Sequence, residues 1–330
     1  MGVIKGNESP ITLEDISEEE TAMREARGMR RYNLKVVRIN PGNYLMPSLY
    51  RQLKDIYYNF EYRSDDIVFV TFPKSGTVWT REILRTMIDT NDTPDPTKIN
   101  NWGGSFMLHK ELRQNLYPGH PDVEMLNKVC PGARVEDGVQ VQLAAAFKGR
   151  RILGWHLALD LLGPHLLNTC KVVYVARNPK DVCVSIYHFF TNKKSYEGNL
   201  EDCARFLLED GGYWEHISQA WRLKDHHNLH FMFYEDMKDD LLGQLRKLND
   251  FLKLDLSEQK LKTVMERTSF NNMKARNNLE LAKANKGPGS HFRRGVAGDW
   301  KNAFTSDQNK RMDAWIKEKS QGMDIKFKYE

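Results

Sequence analysis

The chain lacks any apolar run near the ~18–20 residues needed to cross a bilayer, so no membrane-spanning helix is expected. Its start, MGVIKGNESPITLEDISEEE, lacks the apolar stretch of a secretory signal. Gly6 stands where a myristoylation signal wants Ser or Thr. Cysteine is scarce: Cys130, Cys170, Cys183 and Cys203 are separated by 40, 13 and 20 residues, which matches no zinc or redox pair. Reduced thiols in a cytoplasmic protein are the expectation. No internal repeat or low-complexity tract is present, and no carboxylate motif for magnesium. The charge balance, 49 basic against 44 acidic residues, leaves only +5. That is too weak to imply nucleic acid, and it suits an enzyme that holds a small, highly anionic ligand.

What is present is a chain of 330 residues, 40% apolar, enough for a large core and fitting one big α/β domain or two small ones. Residues 1–45 are charged and without clear pattern, and read as an N-terminal extension packed on the outside. Within them, the acidic run Glu14–Glu20 followed by Arg24, Arg27, Arg30 and Arg31 predicts a helix over 13–30. Residues 46–330 form the main domain. Ile67–Phe72 and Lys171–Ala176 are short, β-branched apolar runs, as buried parallel strands should be. A third strand is predicted over Leu229–Tyr234. Helices are predicted after each: from Thr77 towards Pro94, from Pro179 to Asn192 with Asn178 as N-cap, and over Asp236–Leu252. Strand-helix alternation implies a single α/β domain with a central parallel sheet flanked by helices. Residues 97–150, broken by Pro118, Pro121 and Pro131, read as short helices and loops over a substrate pocket.

The loop between the first strand and its helix is Pro73-Lys74-Ser75-Gly76-Thr77. A helix start offers free backbone N–H groups and the positive end of a dipole, which together favour an anion. Gly76 allows close backbone approach, Lys74 adds a point charge, and Ser75 and Thr77 add hydroxyls. This is P-loop-like but not Walker A, because the glycine-rich spacer is missing and Lys74 precedes the glycine. Taken alone, the segment reads equally well as an ordinary strand-helix turn with a surface lysine.

Further motifs decide between these readings. TFPKSGTVW resembles the 5′-phosphosulfate loop of the cytosolic sulfotransferases, and YVARNPKDVCVSIYHFF resembles their 3′-phosphate motif. HFRRGVAGDWKNAFT is similar to their C-terminal signature, and FMFYEDM and Thr268–Phe270 match as well. The matches run from about residue 60 to 310 in the family's order.

The resemblance implies sulfuryl transfer from 3′-phosphoadenosine 5′-phosphosulfate (PAPS) to a small acceptor, leaving 3′-phosphoadenosine 5′-phosphate (PAP). By the same resemblance Lys74, Ser75, Gly76, Thr77, Val78 and Trp79 hold the 5′ end, with Lys74 stabilising charge on the bridging oxygen and Trp79 stacking on adenine. Arg177 and Ser185 grip the 3′-phosphate, arginine through its planar fork of donors. Phe292, Arg293, Arg294 and Gly295 close over it from a late loop. Thr268, Phe270 and Met273 flank the adenine. His156, one of ten histidines, stands where the family keeps its catalytic base. A histidine can take the acceptor's proton at neutral pH. No metal is implied.

The sequence departs from the family in several places. The usual Lys-Thr-His is here Gly154-Trp155-His156, so a lysine that helps hold the sulfuryl group is absent, and Arg150, Arg151 or Lys148 are candidate substitutes. The tyrosine that touches adenine in vertebrate members aligns with Asp210, with Tyr213 close by. The stretch Gly211–His216 and the long separation from Lys74 to His156 (156 − 74 = 82) resemble arthropod members. The dimer motif keeps Lys301 and Thr305, but Ser306 and Lys310 depart from it, which leaves monomer and homodimer both open. The acceptor pocket is assigned to residues 97–150 and 276–290, with Gly287-Pro288-Gly289 as a hinge within a mobile Lys283–Gly289. Phe106, Met107 and Leu108 suggest a partly apolar acceptor. Elimination after sulfonation, as in insect relatives that dehydrate retinol, and a catalytically weak PAPS- or PAP-binding relative are the alternatives.

Overall fold

In the computed structural model, residues 8–29, 35–89, 104–112, 116–210, 212–283 and 292–330 are described. Two sheets organise them. The first is antiparallel, with strands β1 (Thr12–Asp15), β2 (Val36–Asn40) and β3 (Tyr44–Pro47) in that order. The second is wholly parallel: β4 (Ile67–Thr71), β5 (Ser105–Met107), β6 (Ile152–Trp155), β7 (Lys171–Ala176) and β8 (Leu229–Phe233), in the order β5-β6-β4-β7-β8.

Every residue of β4 is buried, because both faces of the parallel sheet are covered. Successive side chains alternate between two cores. Val68, Val70, Leu153, Trp155, Val172 and Tyr174 join Tyr50, Tyr57 and Ile217 on one face. Ile67, Phe69, Val173 and Val175 join Ile83, Leu84, Leu245 and Val264 on the other. The single α/β domain with a central parallel sheet is therefore the observed architecture. The strands expected from 67, 171 and 229 form within a residue of their limits.

Elsewhere the chain differs from expectation. The helix predicted over 13–30 is confined to Glu18–Ala26, capped by Ser17, because Thr12–Asp15 pairs with β2. Nor is this region without pattern: Ile11, Met29, Ile39 and Tyr44 are buried in the main core. The helix expected over 236–252 is two, Tyr234–Asp239 and Leu241–Leu252, since Asp240 leaves helical geometry (φ −142°, ψ 76°) and its side chain caps Gly243 N at 2.9 Å. The segment 97–150 contributes strand β5 besides helices Pro121–Val129 and Val139–Ala146. Residues 97–103 and 113–115, and the glycine-proline hinge at 287–289, lie outside the described residues.

Candidate active site

The C-terminal ends of the parallel strands converge on one cleft of about 1220 Å³, as expected for ligand sites in open α/β sheets. From the central strand β4 the chain turns through Phe72–Gly76 into the helix Thr77–Ile88. Ser75 N donates to Phe72 O at 3.1 Å, closing the turn. Lys74 sits at φ +70° and Gly76 at φ +106°. For a lysine this conformation costs on the order of 1 kcal/mol, and it marks a loop shaped by its surroundings. A Cβ at Gly76 would fall 2.9 Å from the Tyr234 ring. No side chain caps this helix start, so its first N–H groups face the loop as an anion cradle. Thr77, Val78 and Trp79 line the cleft with Lys74 and Gly76, and Ser75 lies fully buried beneath them. The Ser75 hydroxyl and the Trp79 indole N–H are buried and unpartnered. Lys74 Nζ rests 4.6 Å from the centroid of the Phe189 ring.

Arg177 follows β7 and joins the separate loops. It donates to the carbonyls of Lys74 and Val296, each at 3.2 Å. Its guanidinium lies 4.4 Å from the Tyr234 ring centroid and 3.6 Å from Asp181, with Nε buried and unpartnered. Ser185 reaches the same cleft from two turns along the helix Pro179–Asn192. Asp181, in that helix's first turn, accepts from Gly298 N (2.8 Å) and Trp300 N (3.1 Å) and so pins the late loop. In that loop Arg293 and Arg294 both bond to Asp299. Burial alone would raise the Asp299 carboxyl, but hydrogen bonds and charge from Arg293 and Arg294 outweigh it and hold the group below the ordinary carboxylate value.

Gly295 has φ +67°, and a Cβ there would meet the Phe270 ring at 2.1 Å. Phe270 in turn packs edge-on against Phe292, ring centroids 5.9 Å apart. Met273 and Thr268 are buried in the cleft wall, the Thr268 hydroxyl donating at 2.8 Å to Val264 O of the helix Glu258–Arg267 whose C-terminus it caps. Trp79 meets Tyr234 edge-on at 5.4 Å. Tyr213 is buried and donates to the Arg177 carbonyl at 2.5 Å. Nothing is described of the Asp210 side chain.

His156 directly follows β6. Its Nδ1 lies 2.7 Å from Thr71 O on neighbouring β4 and 3.2 Å from Thr71 Oγ1, which is 2.8 Å from Thr77 Oγ1. A carbonyl can only accept, so Nδ1 carries the proton and Nε2 is the basic nitrogen. His216 contrasts with it: burial pushes it down to about 3, and its Nδ1 is bonded to Tyr174 Oη at 2.6 Å. His230 is likewise pushed down to about 4 by burial. Both read as structural.

The substitutes considered for the missing lysine stand at the wrong end of β6. Arg151 is 1% exposed and bound to Asp66, and Arg150 donates to Asp65 O at 3.1 Å, both at the strand's start. Lys148 precedes them and is also absent from the cleft lining. Sequence reasoning did not single out His109, which follows β5 beside His156, or Tyr44–Pro47 of the antiparallel sheet, which line the cleft.

The orphaned donors (Ser75 Oγ, Trp79 Nε1, Arg177 Nε) and the concentration of cations define a binding site for a small polyanion on an α/β frame. Comparison with known proteins names the family. Residues 64–324 match the sulfotransferase domain family. The chain is 32% identical to human sulfotransferase 1C2 over 281 residues, 82% of this chain and 88% of the relative. It is 30% identical to dog sulfotransferase 1B1 over 312 residues, 91% and 97% of the two chains. Among solved structures, mouse sulfotransferase SULT7A1 complexed with PAP superposes with a TM-score of 0.65 at 25% identity, covering 86% of this chain and 93% of that one. Retinol dehydratase in complex with androsterone and inactive cofactor PAP gives 0.79 at 23% identity, covering 96% and 98%, a likeness of fold. The chain belongs to the sulfotransferase family and is a PAPS-dependent sulfotransferase.

Proposed function

We propose that the cleft binds PAPS across the Lys74 loop and the Arg177 face, and passes its sulfuryl group to a hydroxyl or amine of a small, partly apolar molecule. The observation that carries this reading is Arg177, whose guanidinium bonds the carbonyls of both Lys74 and Val296 and so joins the two anion loops. Lys74 to Trp79 hold the 5′-phosphosulfate. Arg177, Ser185 and Phe292–Gly295 hold the 3′-phosphate. Trp79, Phe270, Thr268 and Met273 wall the adenine. The bound donor supplies the sulfuryl group.

His156 takes the acceptor's proton on Nε2 while Nδ1–H stays on the Thr71 carbonyl, which keeps the imidazolium in place as it forms. As the acceptor oxygen bonds to sulfur and the sulfur-to-phosphate oxygen bond breaks, the Lys74 ammonium meets the charge left on that oxygen. Met46, Met107, Phe189 and Phe206 on the cleft wall support a partly apolar acceptor.

A cytoplasmic location is part of this reading, and among the described residues no helix is long and apolar enough to cross a membrane. The intramolecular use of the dimer-motif residues, Thr305 as helix cap and Lys301 bonded to Glu330 at 2.9 Å, favours a monomer over a dimer through that patch. The stretch Gly211–His216 and the long Lys74-to-His156 separation support a likeness to arthropod members.

Incubation with PAPS and a panel of phenols, hydroxysteroids and amines, followed by mass spectrometry, tests the reading. A sulfate ester that disappears in His156→Ala supports it. A dehydrated product would assign elimination instead, and no product together with no PAP binding would refute it.

A further inference from the structure

The family's lysine two residues before the catalytic histidine has no counterpart that β6 could carry. A Cβ on Gly154 would lie 2.4 Å from the Phe69 ring and 2.5 Å from Met107 Sδ. The space is filled by the neighbouring strand itself, because Met107 is the register partner of Gly154 in the β5–β6 pair. That strand then continues towards the site. Leu108 N donates to Gly154 O at 3.1 Å, and the next residue, His109, arrives level with His156.

Three observations fix His109 there. Its Nδ1 accepts from His156 N at 3.3 Å. The two imidazole rings lie 4.6 Å apart at 61°. The His109 ring also stacks near Trp155, at 6.0 Å and 25°. The residue is 3% exposed, yet it lines the same cleft as Lys74 and His156. Its neighbour Lys110 is ion-paired with Asp122.

The backbone bond sets the tautomer. With Nδ1 accepting from a backbone N–H, a neutral His109 carries its proton on Nε2 and is a donor there. His156 is the reverse, with Nδ1–H on the Thr71 carbonyl and Nε2 basic. The adjacent rings are therefore one donor and one base.

We propose that His109 is a catalytic residue whose Nε2–H donates to a non-bridging oxygen of the sulfuryl group in transit, taking over the role of the lysine that Gly154 cannot supply. This rests on the sulfotransferase reading above. The acceptor's proton goes to His156, the new oxygen–sulfur bond forms as the old one to phosphate breaks, and His109 keeps its proton throughout. A fixed donor aimed at developing charge stabilises the transition state without reorganisation. Being neutral, it does not oppose the positive charge that His156 acquires, as an ammonium in that place would.

Two substitutions separate this role from packing. His109→Asn keeps an acceptor near the Nδ1 position but removes the distal N–H, and His109→Gln returns an amide N–H close to it. With PAPS and 2-naphthol, androsterone or dopamine as acceptor, kcat of His109→Asn is expected to fall ~10–100-fold and His109→Gln to recover part of it. Affinity for PAP and melting temperature should stay within about twofold and about 2 °C of wild type. Nitrogen NMR of the histidine rings in the PAP-bound protein should show His109 as the Nε2–H tautomer, whether or not a probe is turned over.

Wild-type turnover by His109→Asn, or an Nδ1–H signal on His109, overturns the inference while leaving the sulfotransferase reading intact. Failure of the wild type both to bind PAP and to transfer to any probe overturns both. If the wild type binds PAP but turns over none of the three, the ring spectrum alone decides.

Discussion

The donor side and the acceptor side of the cleft are built in opposite ways. On the donor side the parts are short local motifs fixed by backbone: a loop closed by Ser75 N on Phe72 O, and a helix start at Asn178, where Asn178 Oδ1 accepts from Asp181 N at 2.9 Å. On the acceptor side the parts come from distant stretches of chain. His109 meets His156 across 47 residues, and Gln219 Nε2 donates to Tyr44 Oη across 175. A motif can specify a piece of an anion site because a helix end or an arginine carries its own donors, even where, as with Arg177, the fold must bring that piece to loops 103 and 119 residues away. A pocket for a variable acceptor is assembled only by the tertiary fold.

The largest expected effect falls where the two sides meet. His156→Ala should reduce kcat ~10²–10⁴-fold with little change in PAP affinity, since the histidine acts on the acceptor's proton. A comparable loss of PAP binding would show that the two sides are not separable.

Next comes Gly295→Ala on the donor side. The new Cβ would strike the Phe270 ring at 2.1 Å, at a φ of +67° that alanine disfavours. PAP affinity is expected to drop about tenfold or more by calorimetry, which would make the adenine wall part of the donor side. Unchanged affinity would remove Gly295 and Phe270 from it.

Glu111 tests the acceptor side through pH. Desolvation by burial, the largest cause, pushes its carboxyl up to about 7 from an ordinary 4.5. Below pH 4.5 the group is protonated folded and unfolded alike, and it does not oppose folding. As pH rises towards 7 the unfolded chain ionises first, and stability falls. Glu111→Gln should therefore stabilise the protein by about 1–3 kcal/mol at pH 8 and by little at pH 4, read by denaturant unfolding. Equal effects at both pH values would show that the carboxyl is not held neutral.

The smallest effect is expected from Thr268→Val. Its hydroxyl bonds Val264 O in the last turn of the helix it caps, so stability should fall by about 1 kcal/mol with PAP affinity unchanged. A tenfold affinity loss would mean that the hydroxyl turns to the donor.

The same contrast explains what could be read from sequence. β4 and β7 are continuous apolar runs because both their faces are buried, and that pattern survives without a structure. The layout of the phosphate loop could be read from residue type, but its role and those of Arg177 and Arg293–Gly295 were legible only through the resemblance to the sulfotransferases, and the structure brings all of them to one cleft. β5 was not legible, because three residues carry no periodicity. β6 was obscured by Gly154, a residue that strand patterns disfavour but that the Phe69 and Met107 side chains require. His109 was invisible for the same reason, since its meaning lies in a partner on another strand. Leu13–Asp15 fell within the helix expected from the acidic and basic runs, while its pairing with β2 depends on residues some 25 positions later.

The most direct test of the account is calorimetric titration of wild type and Arg177→Ala with PAP. Tight binding by the wild type that weakens ~10–100-fold or more in the variant, with no loss of folded structure, is the expected result. Equal affinity in the two proteins, or no binding by the wild type, would contradict the claim that Arg177 unites the two anion loops into one donor site.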